Sequence, residues 1–462
     1  MSSPKIFTVK SRMIHEGRFD PEYHYALLNG NIKSPYQLVK LLSLAYFKTG
    51  GTPSTDNDDY WGGSLPWISA KDFKTFRFED SEDHITELAA QDATTYVVDK
   101  PALLMVSRSG ILQHSLPVMI TYKRTAINQD IKAFFPDNRV SVDYLGAFFD
   151  LFGKNLLPLL CKSGATVQSI NTNELMNLPI PVPPPDTQKQ IVAELDAAYA
   201  AKRKADAKAA ELLNSIDRVV LNALGIPPIP PPDTSLPARI FTVSSHDVTD
   251  RSFAPSHYLP KLDFSPARYK CISFCETVSV DPLELVVNAK RPYHLVPMDA
   301  VSAEYGCIER TEEIPSDVMT GYTTFRNGDV IFAKISPCME NGKSAVVSVD
   351  IDGVVFGSTE FLVFRPNKDM IIADYLHLLL RLKALREYAE RNMSGTTGHQ
   401  RVTKSFFWNL KIPVPPISEQ EEIVDKVSAI RAEAKTLKAS AAAALAVSKK
   451  IIESILMEEN KK

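Results

Sequence analysis

Residues 178–185 read Leu178-Pro-Ile-Pro-Val-Pro-Pro-Pro185, and 232 residues later the chain repeats the phrase as Leu410-Lys-Ile-Pro-Val-Pro-Pro-Ile417. Proline at this density interrupts helix and central strand alike, so each stretch is a corner. The residues after each corner read as helix. Thr187 with Gln190, and Ser418 with Glu421, have capping-box spacing, in which two side chains satisfy the first free N–H groups of a helix. Apolar residues then keep a 4,3 spacing at Ile191, Leu195, Ala198, Ala205, Ala209, Leu212, Ile216, Val219 and Ala223, interrupted only by Lys202. The second run keeps the same register at Ile423, Val427, Ile430, Ala434, Leu437, Ala441, Ala444, Ser448, Ile451 and Ile455. A seven-residue repeat sustained this long is the seam of a coiled coil. At about 1.5 Å per residue, 188–224 would span roughly 55 Å, and Gly225 is expected to end it in the left-handed conformation.

Working outward, more pairs appear in the same order. Ile6-Phe-Thr-Val9 returns as Ile240-Phe-Thr-Val243, Phe19 and Pro21 return as Phe253 and Pro255, and Ser163-Gly-Ala-Thr166 returns as Ser394-Gly-Thr-Thr397. Between these landmarks the halves diverge. The sequence therefore reads as a duplicated unit of arm, variable body, proline corner and long helix. The expected boundaries are an arm at 1–33, a body at 34–183, a helix at 184–224, a proline-rich linker and second arm at 225–261, a second body at 262–415 and a second helix at 416–462. If the helices pair antiparallel, a pseudo-two-fold axis relates the halves and a body sits at each end. The pairing residues would be Ile191, Leu195, Leu212 and Ile216 on one helix, and Ile423, Val427, Ile430, Leu437, Ile451 and Ile455 on the other.

The bodies read as mixed α and β, which makes the chain α+β overall. In the first, a helix is expected near Tyr36–Phe47, then glycine- and proline-rich loops (Gly50-Gly-Thr-Pro-Ser-Thr55, Tyr60-Trp-Gly-Gly63) that tryptophans anchor to the core. Strands are expected at 94–98, 102–106, 118–122 and 131–135, and a closing helix at 142–157. In the second, strand-like runs occur in Tyr293-His-Leu-Val-Pro-Met-Asp299, Gly328-Asp-Val-Ile-Phe-Ala-Lys334, Asn341-Gly-Lys-Ser-Ala-Val-Val347 and Glu360-Phe-Leu-Val-Phe364, and one helix is expected over 374–391.

Several of these motifs carry a resemblance. The GGTPST, YWGG and LPWISAKD segments of the first body, GDVIFAKI with NGK in the second, and IPVPP leading into a Glu/Gln-rich helix in both are similar to the target-recognition domains and helical regions of type I restriction-modification specificity subunits. The likeness spans nearly the whole chain, although the second body lacks the GGTPS and PW signature. It implies a subunit that binds double-stranded DNA at a bipartite target, one half-site per body, with the helices fixing the gap. It also implies partners: two adenine-specific modification (methyltransferase) subunits that carry S-adenosylmethionine, and restriction motor-nuclease subunits. No cofactor is expected on this chain itself.

Composition constrains the alternatives. With 462 residues, 44% of them hydrophobic and 23% charged, the chain is long enough for two cores, and no run approaches a membrane span. The first residues lack the apolar stretch of a signal peptide, so the expected location is the cytoplasm. A net charge of −3 suits a free-standing DNA binder poorly, because lysine and arginine dominate affinity for phosphate, but suits a reader whose partners supply the clamp. Five scattered cysteines fit reduced, buried thiols, and Cys271 with Cys275 lacks the second pair a structural zinc site needs. Asn341-Gly-Lys-Ser344 misses the earlier glycine of a phosphate loop, since position 337 is proline, and reads as a turn between strands. No dinucleotide fingerprint or amino-methyltransferase pocket is present. The alternatives are a methyltransferase or nuclease with an unfamiliar active site, and a coiled-coil adaptor that binds only protein.

Base edges are read by arginine, lysine, asparagine and glutamine presented on loops. The candidates are Ser69, Lys71, Ser107, Arg108 and the Lys162, Ser163, Thr166, Gln168 loop in the first body. In the second they are Lys334, Asn341, Lys343 and the Thr396, His399, Gln400, Arg401 loop. No catalytic or metal-ligating residue is expected.

Overall fold

The computed structural model describes residues 33–92, 95–161, 167–227, 229, 240, 242, 262–283, 293–315, 321–349, 353–396 and 399–457. The repeated arms lie almost wholly outside them. The chain divides into unit 1, built from residues up to Lys204 and from Ser440 on, and unit 2, built from Ala205–Ala439. Each unit thus takes part of both long helical runs.

The strands of unit 1 are β1 (Gln37–Lys40), β2 (Ala45–Thr49), β3 (Trp61–Ile68), β4 (Asp83–Ile85), β5 (Tyr96–Val98), β6 (Ala102–Val106), β7 (Arg108–Ser109), β8 (Val118–Thr121), β9 (Thr125–Ile127), β10 (Ile131–Pro136), β11 (Gln168–Ser169) and β12 (Pro179–Val182). They form two four-stranded sheets, β2-β10-β6-β8 and β4-β3-β9-β5, and the pairs β1-β12 and β7-β11. In β6 all five residues are buried. Leu103 and Met105 face a core shared with the helix Val142–Leu160, while Ala102, Leu104 and Val106 face the opposite core. A strand covered on both faces reads as an unbroken apolar run, which is why its ends are legible in sequence. The tryptophans act as the expected anchors: Trp61 Nε1 donates to Ser54 O at 3.0 Å and Trp67 Nε1 to Gly51 O at 3.3 Å. A Cβ on Gly50 would lie 1.7 Å from Ile127 O, so only glycine lets the loop close there.

Unit 2 repeats the plan with different residues. Its strands are β13 (Cys271–Ser273), β14 (Val278–Val280), β15 (Tyr293–Val296), β16 (Glu312–Ile314), β17 (Thr323–Phe325), β18 (Val330–Ala333), β19 (Ser344–Val346), β20 (Val355–Gly357), β21 (Phe361–Pro366) and β22 (Lys411–Pro413). The sheets are β14-β21-β18-β19 and β16-β15-β20-β17, with the pair β13-β22. Even the parallel pairs correspond, β3 with β9 and β15 with β20. In β18, Val330 and Phe332 face one core while Ile331 and Ala333 face the other.

Both long helical runs contribute to both cores. Ile191 and Leu195 share the unit 1 core with Ile452 and Leu456. Val220, Leu221 and Leu224 share the unit 2 core with Ile423 and Val427. Burying a side chain of this size contributes about 1.5–3 kcal/mol.

The structure corrects several expectations. Tyr36–Phe47 is not a helix: β1, the single turn Leu41–Leu44 and β2 occupy it, because β12 supplies a pairing partner from far along the chain. Neither capping box forms. The helices start at Pro185 and Ile417, ahead of Thr187 and Ser418; in the first, proline itself occupies the first turn, where its missing N–H costs nothing. The first run is two helices, Pro185–Asn214 and Ile216–Leu224, and Gly225 ends the second at φ 71°. The helix expected over 374–391 breaks at Leu382 into Ala373–Arg381 and Lys383–Arg391. Of the cysteines, all free, Cys161 is buried but Cys275 and Cys307 are exposed. Near the end of the last helix the seam slips by one residue: Ile451 is 48% exposed and Ile452 fully buried. A straight helix drifts about 20° per heptad against a 3.5-residue repeat, which accounts for the slip.

Candidate functional site

In each unit a residue that follows the large helical segment in the chain bonds the end of an inner strand of the first sheet, Ile170 in unit 1 and Val402 in unit 2. In unit 1 the bonded end is Ser107, just past β6. Ser107 donates to Asp130 O from both its backbone N (2.7 Å) and its Oγ (2.9 Å), and Ser107 O accepts from Ile170 N at 2.9 Å. The β7-β11 pair then sets Gln168 opposite Ser109 and Ser169 opposite Arg108. Arg108 and Gln168, 60 residues apart in the chain, are therefore brought to one short ladder, diagonal to each other and on its opposite faces. Arg108 is exposed and has no ion-pair partner among the described residues. Asn171 fixes the far side of the loop by capping the helix Thr172–Asn177, accepting from Asn173 N at 3.0 Å. Lys162, Ser163 and Thr166 lie outside the described residues.

The equivalent end in unit 2 is Lys334, just past β18. Its N donates to Glu360 O and its O accepts from Val402 N, both at 2.9 Å. The loop 394–401 is closed by reciprocal backbone bonds between Ser394 and Arg401, at 3.0 and 2.9 Å. Arg401 is clamped: its Nε and Nη2 donate to the two carboxylate oxygens of Glu360 at 2.9 and 2.7 Å, and its Nη1 donates to His399 O at 3.0 Å. The Arg401 hydrogen bonds hold the Glu360 carboxyl below its usual range. Thr396, His399 and Gln400 are exposed on this clamped loop. A planar two-bond pair fixes orientation as well as charge, so Arg401 and the described loop end 399–401 are held in one geometry.

The other candidates have intrachain partners. Ser69 N and Oγ bond Asp72 Oδ2 at 2.8 and 3.1 Å, and Lys71 pairs with Asp83 at 2.8 Å and with Glu82 at 3.3 Å. The Asp83 hydrogen bond raises the Lys71 pKa. Lys343 Nζ donates to Met298 O at 2.9 Å. Asn341 is exposed in the turn between β18 and β19, where Gly342 adopts φ 77°, as expected of a turn and not of a phosphate loop. Sequence reasoning misses Glu360, since nothing local marks it as the partner of a loop 41 residues away.

It misses Gln188 and Gln420 as well. Gln188 Oε1 accepts from Ser141 N (3.0 Å), and its Nε2 donates to Arg139 O (2.8 Å) and Pro183 O (3.0 Å). Gln420 Oε1 accepts from Ile372 N (2.9 Å), and its Nε2 donates to Met370 O and Pro415 O (2.8 Å each). These bonds tie the first turn of each long helix to the helix that closes its body. Among the described residues no group of three or more His, Cys, Asp or Glu is placed to hold a metal ion, and no helix is long and apolar enough to cross a membrane.

Comparison with known proteins gives a consistent match. The profile of the family described as "Type I restriction modification DNA specificity domain" matches residues 33–212 and 319–443. Similar curated proteins include the type I restriction enzyme EcoAI specificity subunit of Escherichia coli, 31% identical over 192 residues, covering 41% of this chain and 33% of that protein. The EcoR124I/EcoR124II specificity subunit of the same organism is 36% identical over 148 residues, 32% of this chain and 37% of that one. The MjaIX specificity subunit of Methanocaldococcus jannaschii is 27% identical over 169 residues, 36% and 38%. The chain thus spans about a third of the length of these curated relatives. Among solved structures, the type I restriction-modification S subunit of M. genitalium aligns over 94% of this chain and 98% of its own, at 11% identity and a TM-score of 0.43.

Proposed function

The chain belongs to the type I restriction modification DNA specificity family, and from that premise we propose that it is the sequence-reading subunit of a type I restriction-modification complex. Each body, 34–183 and 262–415, reads one half of a bipartite target in double-stranded DNA. The chain is not itself an enzyme. Adenine methylation belongs to two modification subunits that carry S-adenosylmethionine, and cleavage to restriction motor-nuclease subunits, all in the cytoplasm. The single observation that carries this reading is the repetition of one plan, two four-stranded sheets and a closing pair in the same strand order, in two bodies that share little sequence. Two readers of the same build with different surfaces are what a two-part, asymmetric target requires.

The long helices, 184–224 and 416–462, form the spacer as an antiparallel pair. Support comes from the start of one sharing a core with the end of the other in each unit, Ile191 and Leu195 with Ile452 and Leu456, and Leu224 with Ile423 and Val427. Base contacts are assigned to the loops at the strand ends: Arg108 and Gln168 with the 162–166 segment in one body, and Thr396, His399 and Gln400 on the Arg401–Glu360 clamp in the other. The remaining candidates, Ser69, Lys71, Lys334, Asn341 and Lys343, are assigned phosphate and positioning contacts around them.

The test is a footprint of the chain with its modification subunit on DNA carrying the target. The expected result is two short protected stretches separated by a fixed gap. Methyl transfer or cutting by the chain alone, or no sequence-dependent protection with the partner present, contradicts the proposal.

A further inference from the structure

At matching positions the two units carry polar contacts of opposite sign. In unit 1 Asp150, on the helix Val142–Leu160, accepts from Tyr199 Oη at 2.9 Å to each carboxylate oxygen and pairs with Lys449 Nζ at 2.9 Å. Tyr199 lies on the first long helix and Lys449 on the last, with the ammonium 5.4 Å from the tyrosine ring centre. Moved along by the repeat of 231 or 232 residues, Asp150 becomes Arg381, Tyr199 becomes Arg431 and Lys449 becomes Asp217.

In unit 2 the body therefore supplies the cation and the first long helix the anion. Arg381, on Ala373–Arg381, donates to Gly342 O (2.5 Å), Ala303 O (2.8 Å) and Glu304 O (3.1 Å). Asp217 accepts from Lys383 N at 2.7 Å, which places it at the junction where Arg381 and Arg386 converge. Burial, with Arg431 alongside, lowers the Arg381 guanidinium to about 10, and Asp217 opposes that shift.

Such a reversal constrains which helices can pair. Within one chain the first body's anion is ion-paired with Lys449, and Asp217 is held on the Lys383 N–H two residues from Arg381, so opposite charges lie together at both ends. If two copies paired through their first halves, Asp150 of each would meet Asp217 of the other. Paired through their second halves, Arg381 would meet Lys449 beside Arg431. Like charges brought together at partly buried positions are penalised at both ends of such an assembly.

We propose that this reversal restricts each long helix to the other as its partner, so that a chain closes on itself with one body of each kind instead of joining a second copy through like halves. The inference rests on the antiparallel pairing proposed above.

The full-length chain is unfolded in urea, refolded at high concentration and sized by light scattering, with circular dichroism to check that each variant refolds. Wild type is expected at single-chain mass. Asp150→Arg with Lys449→Asp keeps the intrachain contact attractive but makes both like-half pairings attractive too, so the dimer fraction should rise several-fold. Adding Asp217→Arg and Arg381→Asp reverses both ends and should return it to the wild-type level. If that fourfold variant does not refold, Asp217→Arg with Arg381→Asp alone replaces it and should raise the dimer fraction as the first pair does. Equal dimer fractions in wild type and the first double variant, or a fourfold variant as dimeric as the double, overturn the proposal. Lys449→Asp and Ile452→Ala separate the two readings. An unchanged unfolding midpoint in Ile452→Ala means that the helices do not share the core, and this proposal fails with the pairing; an unchanged midpoint in Lys449→Asp overturns the charge rule alone. A lowered midpoint in Lys449→Asp with unaltered oligomer distributions also overturns only the charge rule.

Discussion

Gln188 and Gln420, 232 residues apart, make the same three hydrogen bonds in their own units: each accepts from a backbone N–H at the start of the body's closing helix and donates to one carbonyl ahead of that helix and one in the proline corner. Both are buried, at 4% and 0% exposure. Replacing either by alanine strands three backbone groups, and the expected loss is about 2–3 kcal/mol. Urea unfolding combined with hydrogen exchange checks this. Exchange should quicken at Ser141 in Gln188→Ala and at Ile372 in Gln420→Ala, each without effect on the other body.

How much of the fold is legible in sequence depends on which contacts are local. The helices, the duplication and the all-buried strand β6 are readable because a seam, a repeated phrase and an unbroken apolar run are properties of neighbouring residues. Tyr36–Phe47 reads wrongly as helix because Leu41 and Leu44 have helical spacing, whereas Gln37–Lys40 is held by residues 179–182. The break at Leu382 has a similar origin. Lys383 N is capped by the Asp217 carboxylate, which is 166 residues away. At the candidate site the repeated Ser-Gly-x-Thr phrase points to the loops, but the Glu360 clamp is invisible because its partner is chosen by the sheet.

The slipped seam yields a clean contrast between neighbours. Ile452→Ala empties a fully buried site and should cost about 2–4 kcal/mol, while Ile451→Ala, at a half-exposed site, should cost under about 1 kcal/mol. Thermal unfolding of the two variants decides it, and equal losses would restore the strict seven-residue register.

The Arg401–Glu360 clamp predicts a selective defect. Glu360→Gln removes the charge and one acceptor, so the loop end 399–401 should lose its single geometry, with roughly tenfold weaker protection of one half-site and little change at the other. Arg401→Lys should behave similarly, because an ammonium cannot form the paired bonds. Footprinting of the assembled complex measures both.

The same clamp sets a pH dependence. Its carboxyl titrates below the usual 4.5, so its stabilising contribution is complete above that value and is lost as pH falls through the lowered one. Nuclear magnetic resonance of the Ser394 and Arg401 amides should show the loop opening only on the acid side of about 4.5, and Glu360→Gln should abolish the transition.

If the helices set the gap, shortening them must change it. Removing one matched heptad from each, around Ala205 and Leu437, should alter the number of unread bases while leaving both half-sites as they were. An unchanged gap in the footprint would show that the spacing is fixed elsewhere.

The most direct measurement is a map of methylated adenines in DNA from cells that express the chain with its modification subunit, compared with the same map after the body 34–183 is exchanged for that of a related subunit. The expected result is a two-part target with one half-site replaced and the other, with the gap, retained. Loss of both half-sites together, or methylation at a single undivided sequence, would contradict it.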